Sequence, residues 1–208
     1  MCIRDRLGID PKYIAAVNNR GISLAEMGNT DDALEYYNKA IEINPKYAEA
    51  HYNKGVLYDR LLRHEDALQS LDEALKCDSG KINAAFYRGI VLGKMKKHEE
   101  ALNCFENICR KHPKHMHAFF QKGMALAELG RHDKALAIFD KLLELDEGNV
   151  NVIYAMARSN AAMGNAGRAL YLLEQAIKKD RKTIKKWAME DEFFDSLQDE
   201  PKFSKLIK

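Results

Sequence analysis

Residues 14–47 read IAAVNNRGISLAEMGNTDDALEYYNKAIEINPKY, and residues 48–81 read AEAHYNKGVLYDRLLRHEDALQSLDEALKCDSGK. Both stretches carry a glycine at their eighth position and an alanine at their twentieth. The 34-residue spacing continues along the chain, with glycine at Gly21, Gly55, Gly89 and Gly123, and alanine at Ala33, Ala67, Ala101, Ala135 and Ala169. Repetition at a fixed period is the signature of a repeat architecture.

Each 34-residue unit contains two segments of helical length. In the first unit, Val17 and Leu24 share one face of the first segment, and Ala33, Tyr37 and Ile41 share one face of the second. The recurring glycine and alanine fall where two paired helices must approach closely. A larger side chain at these positions would force the helices apart.

The unit resembles the tetratricopeptide repeat, whose pattern includes an alanine, an aromatic residue four positions later, and a closing proline. These elements occur as Ala33/Tyr37, Ala101/Phe105 and Ala135/Phe139, and as Pro45 and Pro113. The chain departs from that pattern in carrying a basic residue where the family has leucine, at Arg20, Lys54, Arg88 and Lys122. The resemblance implies an all-α fold, a right-handed α-solenoid of five tandem helix-turn-helix repeats with a C-terminal helical cap. The first helix of each repeat would line its inner face.

The predicted repeats are residues 14–47, 48–81, 82–115, 116–149 and 150–183. Residues 1–13 fit no complete repeat: residues 1–6 look like an artefact, and residues 7–13 look like the end of a truncated preceding repeat. Residues 184–208 are predicted to form capping helices, which a last repeat needs. The alternative is that this terminal segment occupies the groove or docks another domain.

Composition excludes several classes of protein. The chain has 33 Lys and Arg against 31 Asp and Glu, and this balance argues against a strongly basic nucleic-acid binder. The longest uncharged run, Gly148 to Ala157, is far shorter than the roughly 18 apolar residues of a membrane span. Four cysteines without a secretory signal do not indicate a disulfide scaffold. We therefore expect a cytoplasmic protein.

The predicted binding surface is a groove lined by the first helices. Its fifth, sixth and ninth positions include a row of aromatic residues beside an apolar row, which would suit an extended peptide or an amphipathic helix. The candidate groove residues are Asn19, Ile22, Tyr52, Asn53, Val56, Phe86, Tyr87, Ile90, Phe120, Gln121, Met124, Tyr154 and Arg158. Packing between neighbouring repeats is an equally good account of the aromatic row.

Other kinds of site are less well supported by the sequence. The lysine and asparagine pattern with which some family members grip a C-terminal carboxylate is absent, since the fifth and ninth positions never read Lys and Asn. The basic residues before the glycines could face an anion, but such side chains more often lie along apolar neighbours. The histidines at positions 64, 98 and 132 recur at a turn, and those at 112, 115 and 117 do not share a helix face, so we expect no metal site.

No phosphate-binding loop and no nucleophile–base motif is visible, so we expect neither a cofactor nor an enzyme active site. The predicted function is a non-catalytic scaffold that binds another protein or peptide in its groove. The alternative is the regulatory or substrate-recruiting arm of a larger enzyme whose catalytic part lies outside this fragment.

Overall fold

The computed structural model describes residues 11–208, and within this range the secondary structure is helical, with no strand. The interpretation of residues 1–6 as an artefact and most of the presumed remnant at 7–13 lie outside the described residues. The helices are α1 Pro11–Glu26, α2 Thr30–Ile43, α3 Ala48–Arg60, α4 His64–Cys77, α5 Ile82–Lys94, α6 His98–Lys111, α7 Met116–Glu128, α8 His132–Leu145, α9 Val150–Ala162, α10 Ala166–Lys179, α11 Arg181–Glu190, a 3₁₀ helix Glu192–Leu197 and α12 Pro201–Ile207.

The chain divides into two compact units, one ending at residue 104 and the other comprising residues 105–208. In the first unit, α1 pairs with α2 and α3 with α4, and the second helix of each pair packs on the first helix of the next. In the second unit, α7 pairs with α8 and α9 with α10, and α8 packs on α9. Each unit is therefore built of tandem helical hairpins, and the predicted all-α fold is confirmed.

Close approach of paired helices depends on the recurring small residues. All five repeat alanines are buried, with at most 1% of their surface exposed. A Cβ atom on Gly55 would lie 2.8 Å from Leu71 Cγ and 3.1 Å from the carbonyl oxygen of Ala67. A Cβ atom on Gly123 would lie 2.5 Å from Phe139 Cε1. The prediction that these positions are the contact between paired helices is confirmed.

The turn inside each hairpin needs a left-handed residue, and the positions that supply it are also 34 residues apart. Gly28, Gly130 and Gly164 have φ angles of 83°, 70° and 76°. The two intervening repeats place Leu62 and Lys96 in the same conformation, each with φ 59°. A Cβ atom makes this conformation costly, so these two turns carry backbone strain that the glycine turns avoid.

The turn between repeats is built by a short polar side chain that accepts a hydrogen bond from the backbone two residues later. Asn44 Oδ1 accepts from Lys46 N at 3.0 Å, Asp78 Oδ1 from Gly80 N at 2.9 Å, and Asp146 Oδ1 from Gly148 N at 3.1 Å. These acceptors share one repeat position, which the sequence analysis did not single out.

Helix α1 begins at Pro11, three residues before the predicted start of the first repeat at Ile14. Proline suits the first turn of a helix because its fixed φ angle is already helical and its missing N–H needs no partner there. Pro45, one repeat later, lies instead in the turn between α2 and α3.

The C-terminal helices cover the last hairpin. Phe194 and Phe203 are fully buried, and their rings stack with centroids 5.9 Å apart. The 3₁₀ helix packs on α9, and α12 packs on α10 and α11. The apolar surface that the last repeat would otherwise expose is thereby covered, as expected for a helical cap.

The glycine contact predicts a difference between two glycines of the first unit. Gly55→Ala will lower the free energy of unfolding by about 1–3 kcal/mol, because the added methyl overlaps Leu71 and the Ala67 carbonyl. Gly93→Ala is the control, since a Cβ atom there meets nothing within 4 Å. It will raise stability by about 0.5–1 kcal/mol through helix propensity. Urea unfolding measures both, and equal effects would contradict the assigned contact.

The strained turns predict stabilising glycine substitutions. Lys96→Gly will raise the free energy of unfolding by about 1 kcal/mol, because glycine adopts the left-handed conformation without a Cβ clash. Gly130→Ala will lower it by a similar amount, about 1 kcal/mol, for the converse reason. Thermal and urea unfolding provide the test, and a destabilised Lys96→Gly variant would contradict it.

Candidate functional site

The first unit presents its candidate groove residues on the first helices α1, α3 and α5. Asn19 is exposed, and the other seven are half-buried: Ile22, Tyr52, Asn53, Val56, Phe86, Tyr87 and Ile90. Half-buried apolar and aromatic side chains both contact their neighbours and leave surface for a ligand.

Two of the aromatic residues pack directly on each other between neighbouring first helices. The rings of Tyr52 and Tyr87 meet edge to face, with centroids 6.2 Å apart. Burial, followed by the Asp59 carboxylate, raises the pKa of Tyr87. The Lys81 ammonium lies 5.4 Å from the Tyr52 ring centroid. Packing between repeats therefore uses part of each ring.

Asp59 is a buried charge at the junction of α3 and α5. Only 2% of its side chain is exposed, and its carboxylate lies 2.6 Å from Lys94 Nζ and 3.2 Å from His64 Nδ1. The equivalent positions in the other repeats hold uncharged small residues: Ala25, Gly93, Ala127 and Ala161. This cluster joins two repeats and accounts for His64, which sequence analysis placed in a turn.

The predicted groove asparagine of α3 also serves a contact between repeats. Asn53 Nδ2 donates a hydrogen bond to Asn18 Oδ1 at 3.0 Å, and Asn18 is 1% exposed. A buried amide requires such a partner. Asn53 therefore helps to hold α1 against α3, whereas Asn19 is exposed to solvent.

In the second unit the groove residues of α7 and α9 converge on one cleft of about 580 Å³. Four of its lining residues belong to the predicted groove: Phe120, Met124, Tyr154 and Arg158. The remaining lining residues are Glu128, Asn151, Ala155, Trp187, Glu190, Asp191 and Glu192. The cleft has an aromatic and aliphatic floor and a rim of carboxylates. Gln121, the fifth predicted residue of this unit, is half-buried on α7 and does not line the cleft.

One end of the cleft is closed by a polar network centred on Asp191. Its carboxylate lies 2.6 Å from Arg158 Nε and accepts a hydrogen bond from the Tyr154 hydroxyl at 2.8 Å. Arg158 also lies 3.1 Å from Glu128 and over the Phe193 ring, 4.2 Å from its centroid. Burial, then the bond to Asp191, raises the pKa of Tyr154. Tyr154 and Arg158 are therefore held by the terminal segment.

The structure adds Trp187 and the acidic residues to the predicted groove. Trp187 packs beside Tyr154 with ring centroids 5.5 Å apart, yet 40% of its surface is exposed. Trp187 lies at the fourth position of an incomplete sixth unit that would begin at residue 184, and this register could have marked it as a groove residue. The acidic residues carried no such signal, because only the folded chain brings Glu128 near Glu190 and Glu192.

Three of the four basic residues that precede the repeat glycines contact the preceding helices. Lys54 Nζ donates to Asn38 Oδ1 at 2.8 Å, Arg88 Nε lies 2.6 Å from Asp72, and Lys122 Nζ lies 3.1 Å from Glu106. Each partner precedes its basic residue by 16 positions, so one contact repeats along the chain. These side chains join repeats, and the structure gives no support to an anion site along them.

The histidines and cysteines have separate structural contacts. His115 caps α7 by accepting a hydrogen bond from Ala118 N at 3.1 Å, and the His132 ring packs edge to face on Phe193. Burial raises the pKa of the Cys104 and Cys109 thiols. Among the residues that the structure describes, no group of three or more His, Cys, Asp or Glu could hold a metal ion. Over the same residues, every helix is too short or too polar to cross a membrane.

Comparison with known proteins agrees with the repeated helical hairpins described above. Two models of the tetratricopeptide repeat match the chain, one at residues 18–82 and 88–150 and the other at residues 126–189. No curated protein sequence matches it.

Several solved structures are similar. YrrB, described as a tetratricopeptide repeat protein with an unusual peptide-binding site, is 27% identical over 81% of this chain and 87% of its own, with a TM-score of 0.69. MamA from Desulfovibrio magneticus RS-1 is 19% identical over 82% and 96%, with a TM-score of 0.74. Pseudomonas aeruginosa pilF is 20% identical over 94% and 89%, with a TM-score of 0.72.

The network at the closed end of the cleft predicts that Asp191 stabilises the second unit. Asp191→Ala will lower the free energy of unfolding by about 2–3 kcal/mol, because Arg158 and Tyr154 lose a charged partner in a largely buried site. Asp199→Ala, a change at an exposed acidic residue of the same segment, will alter it by less than about 0.5 kcal/mol. Urea unfolding followed by circular dichroism distinguishes the two, and similar effects would show that the network contributes no stability.

Proposed function

The chain belongs to the tetratricopeptide repeat family, and from this premise we propose that it is a non-catalytic scaffold that binds a peptide or a helix of a partner protein. In each unit, taken by itself, the proposed surface is formed by the first helices of its repeats. In the first unit this surface comprises the candidate groove residues, and in the second unit it is the cleft. YrrB, which shares 27% identity with the chain, is described as having a peptide-binding site, and this supports the proposal.

The observation that carries the proposal is the cleft itself. It joins Phe120 and Met124 to the half-exposed ring of Trp187 within one concavity. Concave sites with apolar floors and a few polar groups are the usual form of a ligand site. Aromatic and methionine side chains are also enriched where proteins bind one another.

Chemistry elsewhere in the chain supports binding rather than catalysis. The raised pKa of the Cys104 and Cys109 thiols disfavours the thiolate that a nucleophilic cysteine requires. The guanidinium of Arg158 faces Asp191 and Glu128, so it is already neutralised.

A protein partner is favoured over nucleic acid. Three basic residues in register, Lys54, Arg88 and Lys122, contact neighbouring helices and are not aligned to meet phosphates. We further propose a cytoplasmic location, which the free thiols of Cys77, Cys104 and Cys109 support because cytosolic thiols stay reduced.

Site-specific crosslinking tests the proposal. A photoreactive phenylalanine analogue replacing Phe86 or Phe120 will crosslink to a partner in cell extract. The same analogue replacing Tyr171, an aromatic residue of α10 that is 48% exposed, serves as the matched control and will not. Crosslinking at all three positions alike would indicate non-specific contact.

The double variant Phe86→Ala with Phe120→Ala will then abolish capture of that partner while leaving helicity nearly unchanged by circular dichroism. Each substitution removes an aromatic contact from the proposed surface of its own unit, and the loss of such a contact costs about 2 kcal/mol or more. Loss of capture only together with loss of helicity would show that the aromatic row serves packing alone.

A further inference from the structure

We propose that the cleft of the second unit selects a basic, apolar segment: a peptide in which large apolar side chains are flanked by lysine or arginine. The cleft is the concavity lined by α7, α9, α11 and the start of the 3₁₀ helix. This inference rests on the proposed function and adds to it the chemistry of the partner.

The charge of the lining is the first argument. Four carboxylates, those of Glu128, Glu190, Asp191 and Glu192, surround the cleft, and Arg158 is its one cationic lining residue. Arg158 is enclosed by Asp191 and Glu128, and 13% of its side chain is exposed. It therefore offers little to an anionic ligand. Carboxylates therefore outnumber cations in the lining, and such an excess of negative charge attracts cationic segments.

The unpaired carboxylates are the second argument. Within residues 12–208, no cation pairs with Glu190 or Glu192, although both are exposed at the rim. The other two carboxylates of the lining do have a partner, since Glu128 and Asp191 lie 3.1 Å and 2.6 Å from Arg158. Two unpaired carboxylates in the lining of a cleft are placed to meet lysine or arginine from a ligand.

The floor supplies the third argument. Phe120, Met124 and Tyr154 provide apolar contact, and the exposed part of the Trp187 ring lies beside them. The face of an indole attracts a lysine or arginine cation as well as apolar groups. A cleft of about 580 Å³ has room for a few side chains of a peptide rather than for a folded domain.

Trp187 is the single tryptophan of the chain, so its fluorescence reports on this cleft alone. The probes are two synthetic peptide libraries that lack tryptophan. In the first, leucine and phenylalanine alternate with lysine and arginine. In the second, glutamate and aspartate replace the basic residues. Trp187 emission and the anisotropy of a fluorescein label on the peptide are followed in the same titration.

The expected result is that the basic library shifts Trp187 emission and binds at least about tenfold more tightly than the acidic library, with affinity falling as salt rises. Glu190→Lys with Glu192→Lys will weaken basic-library binding by about tenfold or more. Asp199→Lys with Glu144→Lys makes the same change in net charge at exposed acidic residues outside the cleft, and it will leave binding unchanged.

Four results would overturn the inference. One is equal binding of the acidic library. Another is peptide binding without any change in Trp187 emission, which would place the ligand elsewhere and leave the proposed function standing. The third is a Trp187 shift that depends on protein concentration without peptide, together with a dimer in sedimentation, because a second copy of the chain would then be the occupant. If neither library binds, the proposal of a basic segment is also rejected. The crosslinks at Phe86 test the proposed function separately.

Discussion

The contact on which the rest of the structure depends is the approach of two helices at a glycine and an alanine. At Gly55 the partner helix is so near that a single added carbon would meet Leu71 and the Ala67 carbonyl. This separation fixes the geometry of a hairpin, and the hairpin fixes which side chains of the first helix face its neighbours. A substitution at the glycine therefore acts on the surface where ligands are proposed to bind, although the glycine touches no ligand.

The repeat pattern is broken after the last hairpin, and Asp191 is the residue at which it breaks. Asp191 stands at the position where a sixth unit would carry its glycine. In place of a tight helix contact, it ends α11 and accepts hydrogen bonds from the Tyr154 hydroxyl and the Phe193 amide. Phe194, next in the chain, is buried against Tyr154 and Phe203. Asp191 thus departs from the repeat pattern and also holds the cap against the last hairpin.

The repeat-level features could be read from the sequence because they recur every 34 residues: the hairpins, the buried alanines and the helix contact at glycine. Features that belong to a single repeat could not. The left-handed turns at Leu62 and Lys96 lack the glycine that would identify them. Asp59 gives no sign of burial until α5 brings Lys94 beside it. The individual groove residues remain predictions, although the structure brings four of them together in one cleft.

The terminal segment makes two kinds of contact. It caps the array, since Phe194 and Phe203 bury apolar surface of the last hairpin. It also occupies part of the predicted groove, since Asp191 and Phe193 contact Arg158. A segment that fills one end of a groove also lines the space that remains. Because that segment brings Trp187, Glu190 and Glu192, the chemistry of the remaining cleft is set as much by the cap as by the repeats.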